Sequence, residues 1–115
     1  MQENIELKDT DKIKLKMIAA QEVRHMKDLI LIEAHDIIDN DYKVPRLKRE
    51  DERNRVSLII KLDDEFKETI RMFCDVHSVR IRDFWVECVH RIIDKYYWEV
   101  RKWVKESKNY LKDLT

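Results

Sequence analysis

Glycine is absent from the 115 residues, and proline occurs once, at Pro45. Tight hairpins need residues that accept positive φ, so composition argues against a fold built from many hairpins. The same absence removes Gly-rich phosphate loops of both the dinucleotide and the P-loop kind. Cysteine occurs twice, at Cys74 and Cys88, too few for a disulfide framework. Both fall at apolar helical positions, which predicts buried free thiols in a reducing, cytoplasmic compartment. No apolar run reaches the roughly 18 residues a membrane span needs. The opening MQENIELKDTDK is polar and acidic, which argues against a signal peptide. Neither an internal repeat nor a low-complexity tract is evident to inspection.

An excess of one charge is missing as well: 24 Lys/Arg balance 24 Asp/Glu. The distribution is less even. Residues 1–42 carry six Lys/Arg against ten Asp/Glu, and residues 43–115 carry 18 against 14, so the halves are net −4 and +4. What is plentiful is charge itself, at 42% against the roughly 25% of ordinary domains. Hydrophobic residues make up 43%, enough for one modest core. Long helices with solvated faces fit both values.

Three segments follow. Residues 1–42 hold a helical pattern over 10–39, with Thr10 or Asp11 as its cap, and form a segment held apart from the rest for assembly or partner binding. Ile13, Met17, Ala20, Val23, Met26, Ile30, Ala34 and Ile37 recur at steps of three and four and define one apolar face. Asn40-Asp41-Tyr42 ends the pattern, and Pro45 forbids its continuation. Residues 43–55, KVPRLKREDERNR, form a connector that is either a solvated linker or a basic arm. Residues 56–115 open with VSLIIKL, whose Leu58, Ile60 and Leu62 share one face of the chain's one convincing strand. Asp63-Asp64-Glu65 then suits a helix N-terminus. A helix follows over 64–77 with Phe66, Ile70, Phe73, Cys74 and His77 on one face. After a break near Ser78-Val79, a second helix starts near residue 80, and its periodicity persists to the C-terminus. A lone short strand leaves both hydrogen-bonding edges unpaired. Its simplest partner is the same strand of a second copy, which predicts a two-fold ribbon and an obligate homodimer.

The stretch RVSLIIKLDDEFKETIRMFCDVHSVRIRDFWVECVHRIIDKYY resembles the ribbon-helix-helix DNA-binding family over residues 55–97. Leu58, Ile60 and Leu62 match its inward strand positions. Phe66, Ile70, Phe73 and Cys74 match the core of its first helix, Val79 its turn, and Phe84, Trp85, Cys88 and Val89 the core of its second. Asp83 and Glu87 match polar positions on the outer side. The resemblance implies a mainly α fold: a dimer with one strand per subunit paired across the two-fold, here with an extra N-terminal helix and an extended C-terminal one. The dimer core would be Leu58, Ile60, Leu62, Phe66, Ile70, Phe73, Trp85 and Val89. It also implies a β-ribbon in the major groove, with Ser57, Ile59 and Lys61 on base edges. Phosphate contacts fall to Arg80 and Arg82 beside the second helix's N-terminal amides, and to the connector's Arg46, Lys48, Arg49, Arg53 and Arg55. Where the family usually has Gly, an aliphatic residue and Ser-x-Ser, this chain has Ser78-Val79-Arg80-Ile81-Arg82.

The histidines His25, His35, His77 and His90 give no four-ligand metal set, and no cofactor is expected. Cysteines buried in helices are poor nucleophiles, so no enzyme is expected either. Trp85, Tyr96, Tyr97, Trp98 and Trp103 sit at helical spacing and are assigned to core or subunit contacts. The expected function is sequence-specific binding of double-stranded DNA by a homodimer acting as a transcriptional repressor. The alternatives are a plasmid relaxosome or partition accessory that recruits a second protein through residues 10–39 and assembles further on repeated sites, and a helical interaction module with no DNA role.

Overall fold

The computed structural model describes residues 2–48 and 54–96. Its elements run β1 (Gln2–Lys8), α1 (Asp9–Gln21), α2 (Met26–Asp39), β2 (Arg55–Lys61), α3 (Asp64–Val76) and α4, helical from residue 81 to residue 96. The chain is mainly helical with one small antiparallel sheet, in which Ile5 faces Leu58 at the middle of a seven-pair register from Gln2–Lys61 to Lys8–Arg55.

β2 and α3 form where their side chains direct. Leu58 and Ile60 alternate inward along β2, and Leu62 follows them into the core. The Asp63 carboxylate accepts the Phe66 amide at 2.7 Å, and Asp64 and Glu65 occupy the first turn of α3, where the helix dipole favours anions. Ile70, Phe73 and Cys74 are buried, with Phe66 partly buried and His77 exposed. α1, α2 and α3 all end in a left-handed residue without glycine: Val23 (φ 53), Asp41 (φ 49) and Ser78 (φ 56). The amide pairs that close the ends, such as Arg24 N to Ala19 O and Val79 N to Cys74 O, satisfy the last carbonyls and stabilise a conformation that a β-branched Val23 adopts at a cost.

Three expectations are corrected. First, β2 is not the only strand. QENIELK pairs with it inside the same chain, so the lone-strand argument for an obligate second copy, with one strand per subunit, no longer holds. Second, residues 10–39 are not one helix. The reversal at Glu22–His25 shifts the helical phase, so no single stripe runs through it. α1 buries Leu15, Ile18 and Ala19, while Ile13 is exposed and Val23 is 90% exposed. Third, residues 1–42 are not packed apart from the rest. Ile5, Leu7, Leu15, Ile18, Ile30 and Ile37 join Leu58, Ile60, Leu62, Ile70, Phe73, Trp85 and Val89 in one core, and Val44 of the connector enters it too. The residues assigned to a dimer core thus pack within one chain. The expected course of the last helix beyond residue 96, with Tyr97, Trp98 and Trp103, lies outside the described residues, as do Arg49 and Arg53.

The order strand-helix-helix occurs twice, which corrects the reading that the chain has no internal repeat. Both strands are seven residues, and both following helices thirteen. Asp9 corresponds to Asp64 and Met26 to residue 81, each 55 positions later, and the positive-φ residues Val23 and Ser78 correspond at the same spacing. Buried positions follow suit: Leu15 with Ile70, Ile18 with Phe73, Ala19 with Cys74, Leu29 with Phe84, Ile30 with Trp85, Ala34 with Val89 and Ile37 with Ile92. The sequence carries the trace as His35-Asp-Ile-Ile-Asp39 against His90-Arg-Ile-Ile-Asp94. Contacts between the halves are reciprocal. Asp11 on α1 bonds His90 on α4 at 3.1 Å, and Phe66 on α3 stacks on His35 on α2 at 4.1 Å, at the corresponding positions. Lys12 reaches the Ser57 carbonyl on β2 at 2.7 Å, while its counterpart Lys67 reaches Glu3 on β1 at 3.2 Å. The halves are related by an approximate two-fold axis through the Ile5–Leu58 pair.

α2 and α4 meet across that axis through charge. Glu33, 3% exposed, accepts from Arg91 Nε at 3.0 Å and Lys95 Nζ at 2.9 Å, and Arg91 also pairs with Asp36. Arg91→Ala strips the buried Glu33 of one of its two cations, and removal of one partner of a buried pair costs about 3 kcal/mol. Urea unfolding of that variant should show a loss of this size. A chain starting at Lys43 lacks β1, α1 and α2 and leaves Leu58, Ile60 and Trp85 uncovered. It should show no cooperative unfolding transition, and a sigmoidal transition with native helix content would contradict the shared core.

Candidate nucleic-acid interface

Alternation along a paired strand sends every second side chain to the face opposite the core. On β2 that face carries Arg55, Ser57, Ile59 and Lys61, all exposed, with Ile59 at 60%. The strand thus brings the three expected base-contacting residues, Ser57, Ile59 and Lys61, together on one face. β1 supplies the other half of the same face with Gln2, Asn4, Glu6 and Lys8, which sequence reasoning missed. The signal was present: Ile5 and Leu7 alternate with Asn4, Glu6 and Lys8 at strand period. Across the ribbon the outward pairs are Gln2–Lys61, Asn4–Ile59, Glu6–Ser57 and Lys8–Arg55. Lys8, Arg55 and Lys61 stand against Glu6, so the face is net +2 within a neutral chain. Arg55 donates from Nη1 to Glu6 at 2.9 Å, diagonally across the two strands, with both side chains a little over 40% exposed.

The residues expected on phosphates divide differently. Arg80, just before α4, grips Asp83 with two hydrogen bonds, Nε at 3.0 Å and Nη2 at 2.9 Å. Asp83 is 5% exposed, so the expectation that it lies on the outer side of the helix is corrected: its carboxylate is buried and compensated by Arg80. Arg82 is half-buried. Arg46 and Lys48 are exposed on the segment after α2. Lys43 and Arg46 line a cleft of about 700 Å³ with Ser78, Val79 and Arg80, beside the first turn of α4, and Asp41 and Asp83 lie on the same wall. The corresponding start of α2 is flanked by exposed Arg24, His25 and Lys27. Basic residues therefore flank the start of both second helices, where the helix dipole is positive, with Asp28 in the first turn of α2 and Asp83 in that of α4.

The remaining titratable groups are accounted for by packing. The His90 hydrogen bond holds the Asp11 carboxyl below its usual value against the effect of burial. Burial pushes Glu87 up, and its charge in turn raises Tyr42, which donates to it at 3.2 Å. His77 lies 3.3 Å from Asp41. Among the described residues no group of three His, Cys, Asp or Glu side chains is placed to hold a metal ion. No helix among them is long and apolar enough to cross a membrane.

Compared with known proteins, the chain matches no family model, no curated sequence and no solved structure.

Cys74 and Cys88 are buried free thiols. Burial, with the neighbouring Asp75 and Asp83 charges, pushes Cys74 up to about 11, and burial pushes Cys88 well above its usual value. Only the thiolate is a nucleophile, so both should resist iodoacetamide at neutral pH in the folded protein and react promptly in denaturant. Rapid labelling of the folded chain, followed by mass spectrometry, would contradict this burial.

Proposed function

We propose that this chain binds double-stranded DNA sequence-specifically as a ribbon-helix-helix unit assembled within one polypeptide, with the β1–β2 ribbon in the major groove. The observation that carries the reading is the outward face of the ribbon. It is a two-stranded, locally cationic surface bearing amide, hydroxyl, carboxylate and ammonium groups at every second position, and a major groove admits a ribbon of that width. The repeated strand-helix-helix order supports it, because each second helix then offers its N-terminus to a phosphate on either side of the ribbon.

The roles follow from the chemistry. Lys61 donates to an acceptor on a base edge, thymine O4 or guanine O6 or N7, Ser57 donates or accepts, and Ile59 packs on a thymine methyl. Arg46 and Lys48 bear on phosphate, together with Lys43 from the cleft wall, whereas Arg82 keeps its Nε and Nη2 buried. Arg80, committed to Asp83, acts on phosphate through the helix end that it stabilises rather than as a separate cation. The partner expected from the lone strand, a second copy, is not needed to build the ribbon. A cytoplasmic repressor of transcription is the role that requires nothing beyond occupancy of a duplex.

Fluorescence anisotropy with labelled duplex tests this directly. Affinity should fall steeply with salt as phosphate contacts release counterions. Lys61→Ala should cost about 1–3 kcal/mol on a selected site and less on random duplex. Absence of binding to a pool of random duplexes at low salt would remove the DNA reading.

A further inference from the structure

If the ribbon enters the groove as proposed above, its two ends cannot read the same bases. The approximate two-fold passes through the Ile5–Leu58 pair, so the outward face has two halves about that point. One end presents Gln2, Asn4, Ile59 and Lys61; the other presents Glu6, Lys8, Arg55 and Ser57. By the repeat, Gln2 corresponds to Arg55, Asn4 to Ser57, Glu6 to Ile59 and Lys8 to Lys61. Only the lysines are the same. At the other three positions the two-fold exchanges an amide for a guanidinium, an amide for a hydroxyl and a carboxylate for a bare aliphatic chain.

We propose that the chain recognises an asymmetric duplex site, one half of which is selected for A·T pairs and the other for G·C pairs. At the first end the side-chain amides of Gln2 and Asn4 carry a donor and an acceptor in the arrangement that fits adenine N7 and N6, and the exposed Ile59 offers apolar surface to a thymine methyl. At the second end Arg55 carries the donors that fit guanine O6 and N7, and Glu6 carries the acceptor that fits the cytosine N4 amine. Their 2.9 Å contact sets the two groups side by side, as neighbours on a G·C step require, and the guanidinium offsets the repulsion between Glu6 and phosphate.

A second observation shows why the chain does not restore symmetry by pairing like halves from two copies. Asp36 and Arg91 occupy corresponding positions and bind each other across the axis. Asn40 and Lys95 also correspond, as do Glu33 and Cys88, and Glu33 takes both Arg91 and Lys95. In a pair of identical first halves Asp36 would face Asp36 and the buried Glu33 would lose its cations. In a pair of identical second halves Arg91 would face Arg91. Like charges at close quarters disfavour both, so the ribbon this chain makes has unlike ends.

The test is selection from a random duplex library with the full chain, followed by sequencing and by titration of the enriched duplex. The expected result is one motif without a dyad, A·T-rich at one end and G·C-rich at the other, bound by one chain per duplex. Replacing G·C by A·T in the second half should weaken binding by about tenfold. Glu6→Gln and Arg55→Ala should each erase most of that preference while leaving the preference in the A·T half. Both side chains are surface-exposed, and the circular dichroism of each variant should match that of the parent chain. A palindromic motif, two chains per duplex, or a G·C preference untouched in both variants overturns the asymmetry and leaves DNA binding standing. Failure to enrich any duplex overturns the DNA reading itself and this inference with it.

Discussion

The antiparallel pairing of Gln2–Lys8 with Arg55–Lys61 is the constraint on which the rest of the molecule depends. Strands this short and this polar are not stable alone, and a two-stranded ribbon needs a covered face. Pairing places Ile5, Leu7, Leu58 and Ile60 on one side, and the helices that leave each strand cover them. Closing the long loop between the strands costs entropy that grows only slowly with its length. Covalent connection also holds the second strand near the first at an effective concentration that a second copy in dilute solution does not reach.

Once the ribbon forms, the helix contacts are set in pairs by the approximate two-fold. α1 meets α4 through Asp11 and His90, and α3 meets α2 through Phe66 and His35. The two contacts are geometrically equivalent and chemically different, an ion pair or hydrogen bond in one and a ring stack in the other. The same holds at Asp36 and Arg91. An assembly of identical subunits cannot place opposite charges at one symmetry-related position, whereas a duplicated unit in one chain can. Such complementarity makes the halves prefer each other over copies of themselves.

The outward ribbon face illustrates how far local charge departs from bulk charge. The chain is neutral, and its first 42 residues are net acidic, yet the outward ribbon face is cationic, while many acids elsewhere are matched by partners of their own. Glu33 and Asp36 are bound to Arg91, Asp83 to Arg80, Glu3 to Lys67 and Asp11 to His90. Each of these pairs takes up a cation with its acid, so the surplus on the ribbon face comes from its own residues, where Lys8, Arg55 and Lys61 stand beside Glu6 alone.

The sequence by itself determined the elements whose signals are local. β2 follows from a run of β-branched and aliphatic residues, α3 from the Asp63 cap and an apolar period of three and four, and the reversal at Ser78 from the break in that period. Ser57, Ile59 and Lys61 share a face because alternation along a strand is independent of what the strand pairs with. Tertiary structure decided the rest. QENIELK carries a strand period in just two inward apolar residues, a signal too short to stand without the edge that β2 offers it. The phase of α1 is set by a left-handed Val23 that no glycine announces, held there by amides that close on Ala19 and Ala20. The HxIID repeat was legible, but the remaining correspondences are between unlike residues, such as Ala34 with Val89 and Glu33 with Cys88, which share burial rather than chemistry. Asp83 reads as a surface residue and is buried because Arg80 compensates it. Local signals are written in neighbouring side chains, whereas pairing, burial and charge compensation depend on residues far apart in the chain, which only the folded chain brings together.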